Sequence, residues 1–175
     1  DLKELCLHLG GWMLHLGGLS KSVAQGTQQG AELISSGRAL EKFRQMVELQ
    51  GGDARVIDDP KRLPQPRQTE KLVAAESGFL SAMNCEQIGT ACVILGGGRE
   101  RKEDSVDPAV GIVMHKKAGD RVSAGEPLAT IHFNSEARLQ RARQLITESC
   151  VISNAAPAMK RPLIHRVIQR AGEKH

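Results

Sequence analysis

The sequence predicts an α+β fold with its helices gathered at the N-terminus, and three observations predict it. In the first 50 residues apolar side chains recur at three- and four-residue steps, the period of one helix face. Residues 53–68 then carry Pro60, Pro64 and Pro66. Proline lacks an N–H and restricts the residue before it, so this stretch interrupts regular structure. Beyond it the apolar runs shorten to strand length and are separated by glycine-containing turns.

Leu2, Leu5, Leu9, Trp12, Met13 and Leu16 form the stripe of a first helix, which Gly17-Gly18 ends. Ser20 is the expected N-cap of a second helix, carrying Val23, Leu33 and Ile34 and stopping near Gly37. Leu40, Phe43, Met46 and Val47 share one face of a third helix, closed by Gly51-Gly52. Residues 1–52 are thus a helical segment, 53–68 an extended linker, 69–170 an α+β subdomain and 171–175 a disordered tail. Within the subdomain, strands are expected at 71–75, 78–83, 111–114, 127–132, 150–152 and 163–168. A short helix is expected from Glu86 to Leu95. A longer one over 135–148 places Leu139, Ala142, Leu145 and Ile146 on one side and Arg138, Arg141 and Arg143 largely on the other.

Composition narrows the function classes. The 175 residues are 40% hydrophobic, enough to build a core. Trp12, three Phe and no Tyr leave that core to Leu, Val, Ile, Ala and Met, and leave no stacking platform for single-stranded nucleic acid. Net charge is +4, and the dense run Arg99-Glu100-Arg101-Lys102-Glu103-Asp104 nearly cancels itself, so nucleic acid is not an expected partner. Cys6, Cys85, Cys92 and Cys150 form no C-x-x-C pair. That spacing argues against a zinc site and a redox dithiol, and four unpaired thiols fit a reducing, cytoplasmic setting. No apolar run approaches the ~20 residues of a membrane span, so no membrane partner is expected. No signal peptide opens the chain, and Asp1 in place of Met points to a processed or cut end.

Two segments carry most of the information. The first is Leu95-Gly96-Gly97-Gly98-Arg99, followed by Asp104-Ser105-Val106-Asp107 and Val110-Gly111. Its glycines allow positive φ and close backbone approach, and their amides could cradle an anion. A phosphate cradle normally opens a helix, whereas these glycines follow one, which favours a helix stop and an exposed, mobile loop. Asp104 and Asp107 are expected to brace the loop rather than bind a cation, which needs several more oxygen ligands. The second segment runs from Gly111 to Ile131, with tight turns at Gly119-Asp120 and Ala124-Gly125 between short strands. Biotinyl and lipoyl carrier domains use a similar half, with a modifiable lysine just after the last strand. Here His132-Phe133-Asn134-Ser135 stands in that place, and Lys116 and Lys117 lie before the first turn. His8 and His15 sit seven apart on one helix without a third ligand or partnering carboxylate, so packing or surface roles are favoured for them.

Taken together, the chain resembles the C-terminal region of the pyrimidine-nucleoside (thymidine) phosphorylases. The resemblance runs from about Asp1 to Ile168. It rests on Asp1-Leu2-Lys3-Glu4-Leu5-Cys6-Leu7, Gly37-Arg38-Ala39-Leu40, Gln50-Gly51-Gly52-Asp53, Ser77-Gly78-Phe79, Leu95-Gly96-Gly97-Gly98-Arg99, Asp107 with Val110-Gly111, and Gly119-Asp120 with Gly125. It implies N-terminal helices of a large α/β domain followed by an α/β-hammerhead, barrel-sandwich-like subdomain. It implies an enzyme in which phosphate, a co-substrate and not a cofactor, attacks the anomeric carbon of a pyrimidine (deoxy)nucleoside. Free base and (deoxy)ribose 1-phosphate are the products. It also implies a homodimer, and an active site built from segments N-terminal to the matched region. No residue of this chain is therefore expected to be catalytic, substrate-binding or metal-binding, and the chain alone is expected to be inactive. Gly96, Gly97, Gly98 and Arg99 remain as candidates for a mobile loop at the cleft. The expected partners are the N-terminal remainder of the enzyme, the nucleoside and phosphate. A stand-alone hammerhead-type interaction module is the alternative, with the missing lysine against it. A growth-factor-like secreted role, implied by vertebrate relatives, finds no signal peptide.

Overall fold

A computed structural model of the protein describes residues 1–156 and 162–168, which fall into two units. Residues 1–60 and 162–168 make up one, and residues 61–156 the other.

In the first unit, α1 spans Leu2–Leu16 and stops at Gly17, with Gly18 at φ +73°. α2 spans Val23–Ser35, and its cap is Ser22, not the expected Ser20. Ser22 Oγ accepts from the Gln25 N–H at 3.2 Å, and Gln25 Oε1 accepts from the Lys21 N–H at 2.8 Å. The glutamine three residues after Ser22 thus reaches back to the N–H of the residue just before the cap. Ser20 has none at that offset, and its hydroxyl donates to the Ser22 carbonyl instead. α1 and α2 cross on glycine: Gly11 and Gly26 are buried, and a Cβ on Gly26 would stand 2.6 Å from the Gly11 carbonyl oxygen. α3 spans Arg38–Leu49 between Gly37 and Gly51, both at φ +77°.

Residues 53–68 are less extended than expected. They hold two 3₁₀ turns, Ala54–Ile57 and Pro60–Arg62. Asp53 caps the first by accepting from the Arg55 N–H at 3.0 Å, and Arg44 grips Asp58 with two hydrogen bonds of 2.7 and 2.9 Å. Proline's fixed φ suits the first position of a helical turn, so Pro60 starts one here. Residues 163–168, expected as a strand, join no ladder. Their apolar residues come in adjacent pairs, Leu163-Ile164 and Val167-Ile168, which does not give one face of a strand. The expected tail at 171–175 lies outside the described residues.

The second unit contains β1 (Gln68–Val73), β2 (Gly78–Met83), α4 (Cys85–Cys92), β3 (Gly111–Met114), β4 (Arg121–Val122), β5 (Pro127–Phe133), α5 (Glu136–Ser149) and β6 (Cys150–Ser153). Two antiparallel three-stranded sheets result, ordered β1-β5-β3 and β4-β2-β6. The larger core joins Leu72, Ala129, Ile131 and Phe133 of the first sheet to Ala91 and Leu95 and to Leu139, Ala142 and Ile146 of α5. Ala74, Val122 and Leu128 form a smaller core. Arg138, Arg141 and Arg143 lie on the exposed side of α5, as its periodicity predicts. Both predicted turns are present. Gly119, at φ +101°, donates to the Leu80 carbonyl at 2.7 Å, and Gly125, at φ +80°, donates to the Ala74 carbonyl at 2.8 Å. The fold is α+β.

Candidate functional site

The glycine-rich segment leaves α4 through a π-type turn at Val93–Gly97. Gly96 ends the helical path at φ +109° and is buried. A Cβ there would lie 2.8 Å from Arg138 Nη1 of α5. Added at Gly97 it would lie 2.8 Å from Cys92 Sγ, and at Gly98 2.7 Å from Val93 Cγ2. One glycine therefore serves a left-handed backbone, and the next two let the chain fold back against α4. This corrects the expectation that exposure begins at Gly96: Gly97 and Gly98 are half-buried, and the exposed stretch begins at Arg99.

The far side of the loop is anchored by its two aspartates. Asp104 Oδ2 accepts from the N–H groups of Glu100 and Arg101, at 3.1 and 2.8 Å, and closes a tight turn. The Asp107 N–H donates to the Gly96 carbonyl at 2.9 Å, which ties the two roots together. The Asp107 carboxylate accepts from the Ala109 N–H at 3.0 Å and from Asn134 Nδ2 at 2.7 Å. Asn134 Oδ1 in turn accepts from the Arg67 N–H at 2.7 Å. The Ala109 N–H, then the Asn134 amide, then the charges of Arg138 and Arg67 hold the Asp107 carboxyl below the usual carboxylate range. Both aspartates thus spend their oxygens on N–H groups, which is bracing.

Asn134 also resolves the carrier comparison. It stands just after β5, where a carrier domain would show its lysine, and bridges Arg67 to Asp107. Lys116 pairs with Glu126 beside the second turn, and that ion pair with the Ser123 N–H draws the Glu126 carboxyl below its usual range. His8, His15 and His115 make local contacts. His8 accepts from Trp12 Nε1 at 3.1 Å, His15 meets the edge of the Trp12 ring, and His115 Nε2 lies 2.7 Å from Thr130 Oγ1. Among the described residues no cluster of three or more His, Cys, Asp or Glu could hold a metal. In the same residues no helix is long and apolar enough to cross a membrane. Gly96–Arg99, Asp104 and Asp107 stand close together in the sequence, whereas Asn134 and Arg138 complete the root of the loop from distant positions.

Residues 79–153 match the family model described as the pyrimidine nucleoside phosphorylase C-terminal domain. Over 168 residues, 96% of its length, the chain is 39% identical to a pyrimidine-nucleoside phosphorylase of Bacillus subtilis. It is 39% identical over 165 residues to one of Geobacillus stearothermophilus, and 40% identical over 168 residues to one of Staphylococcus aureus (strain USA300). The chain corresponds to the C-terminal part of these longer pyrimidine-nucleoside phosphorylases. It spans 38% of the length of each of these relatives.

Proposed function

We propose that the chain works as the C-terminal portion of a phosphorylase that cleaves pyrimidine (deoxy)nucleosides with phosphate, giving free base and (deoxy)ribose 1-phosphate. In this reading catalysis and substrate binding belong to the preceding portion. The complete enzyme is a cytoplasmic homodimer, and the isolated chain is inactive. The observation that carries it is the state of the helical unit: Leu9, Met13 and Leu16 on α1 and Leu40, Phe43 and Met46 on α3 are exposed, with Met13 at 75%. A stripe of this kind is the face a helix normally buries, and the family relationship supplies the covering partner in the remaining part of the enzyme. The test is phosphorolysis of thymidine and uridine, each with phosphate, by the complete protein and by residues 1–175 alone. Activity confined to the complete protein is expected. Turnover by the purified 175-residue chain would overturn it.

The loop from Gly96 to Asp107 is read as a segment at the cleft of the complete enzyme that orders on domain closure, with Arg99 reaching an anion or a facing carbonyl. Its packed roots and exposed middle support this division into fixed and movable parts. In the complete enzyme, phosphate plus a nucleoside analogue should slow trypsin cleavage at Arg99, Arg101 and Lys102, and Arg99→Ala should lower kcat/KM. Equal digestion with and without ligands, together with unchanged kcat/KM, would leave the loop as structure only.

A further inference from the structure

Two cysteines far apart in sequence, Cys85 and Cys150, lie at one end of the α4–α5 pair. β2 and β6 run antiparallel with Met83 opposite Cys150. Beside that pair the Asn84 N–H donates to the Ser149 carbonyl at 2.9 Å. α4 begins at Cys85, directly behind its Asn84 cap, and α5 ends at Ser149, directly before Cys150. The buried Ser149 hydroxyl lies 3.1 Å from Gln87 Oε1, so the first turn of α4 is already fastened to the end of α5.

The two thiols differ in character. Cys85 is exposed, while Cys150 is half-buried against Ala74, Val122 and Leu128. Burial, with a contribution from the neighbouring Cys85 charge, pushes the Cys150 thiol up. Cys85, being exposed, is the thiol that meets reagents from solvent. Cys92 sits at the other end of α4, under Gly97.

We propose that Cys85 and Cys150 form a reversible disulfide that staples the start of α4 to the end of α5 when the protein meets a small-molecule disulfide. Disulfide-bonded cysteines have Cα atoms about 4.4–6.8 Å apart. Cys85 and Cys150 each stand one residue from the Asn84–Ser149 hydrogen bond, so an inward shift of the exposed first turn of α4 closes the bridge. The Cys85 thiolate attacks the small disulfide, forms a mixed disulfide and releases one small thiolate. Cys150 then gives its proton to solvent, attacks the Cys85 sulfur and expels the second small thiolate. The two protein thiols lose two protons and two electrons in all, and the small disulfide is reduced to two thiols. The closed loop contains α4, the glycine-rich segment, β3 to β5 and α5, so the bridge restricts the unfolded chain and raises the melting temperature.

The experiment treats the complete protein with oxidised glutathione, then alkylates free thiols, digests without reduction and maps peptides by mass spectrometry. A peptide joining Cys85 to Cys150, lost on reduction, is expected, with Cys92 still alkylated and a melting temperature higher by several degrees than in the reduced protein. Cys85→Ser, at an exposed position, should abolish both the joined peptide and the shift, and Cys92→Ser should keep both. Cys150→Ser should match Cys85→Ser, and if its partly buried site disturbs folding, the Cys85→Ser result decides alone. Full alkylation of both thiols after oxidation, glutathione on Cys85 without a bridge, or a bridge from Cys85 to another cysteine would each overturn the proposal.

Discussion

At the scale of single residues, the glycines divide into those that must be glycine and those that need not be. Gly96 combines φ +109° with Arg138 Nη1 at 2.8 Å from the place of a Cβ. Gly96→Ala should therefore destabilise the protein by about 1–3 kcal/mol. Gly89 lies inside α4 at an ordinary helical φ with nothing near its missing Cβ, so Gly89→Ala should be neutral or stabilise by up to about 1 kcal/mol. Thermal melts of the two variants check the contrast, and equal shifts would contradict it. Gly119→Val and Gly125→Val should each cost about 1–3 kcal/mol, because both positions have positive φ. The glycines and the two aspartates of the loop were legible in the sequence because their turn chemistry is local. Asn134 and Arg138 were not, since β5 and α5 bring them to the loop from another part of the chain.

Asp107 gives a pH signature at the same scale. Its carboxyl is held below the usual range in the folded protein. The stabilisation is thus fully present above the ordinary carboxylate pKa and is lost as pH falls through the lower, folded value. Asp107→Asn should be less stable than the parent at about pH 7, and the gap should shrink in acid, below about pH 4. Denaturant unfolding at the two pH values measures it, and a gap independent of pH would show that the charge contributes nothing.

At the scale of elements, local signals gave α1, α3, α5, β2 and β3 to within a residue or two. Each has a clear periodicity or lies between glycine signals. The cap of α2 was misplaced by two residues because Ser20 and Ser22 carry the same side chain, and only the distance to Gln25 separates them. Residues 163–168 were misread because an apolar run alone does not supply a neighbouring strand. The crossing of α1 on α2 was not legible at all, since Gly11 and Gly26 look like helix breakers in sequence and are contact points in space. Gly26→Ala should force the helices apart and cost about 1–3 kcal/mol. Circular-dichroism melts test this, and a variant as stable as the parent would contradict the tight crossing.

At the scale of the whole molecule, two facts point the same way. The chain spans 38% of the length of its relatives, and its helical unit leaves apolar stripes uncovered on α1 and α3. A helix stripe in water costs free energy that burial would recover, so these faces should be covered in the complete enzyme. The most direct measurement is reconstitution. The N-terminal remainder of the enzyme and this chain are produced as separate polypeptides, mixed, and assayed for complex formation by sedimentation and for thymidine phosphorolysis. A stoichiometric complex with activity absent from either part is predicted, with both lost on Met13→Glu combined with Phe43→Glu. Parts that stay separate, or a complex unaffected by those two charges, would contradict the assignment of the apolar faces to the rest of the enzyme.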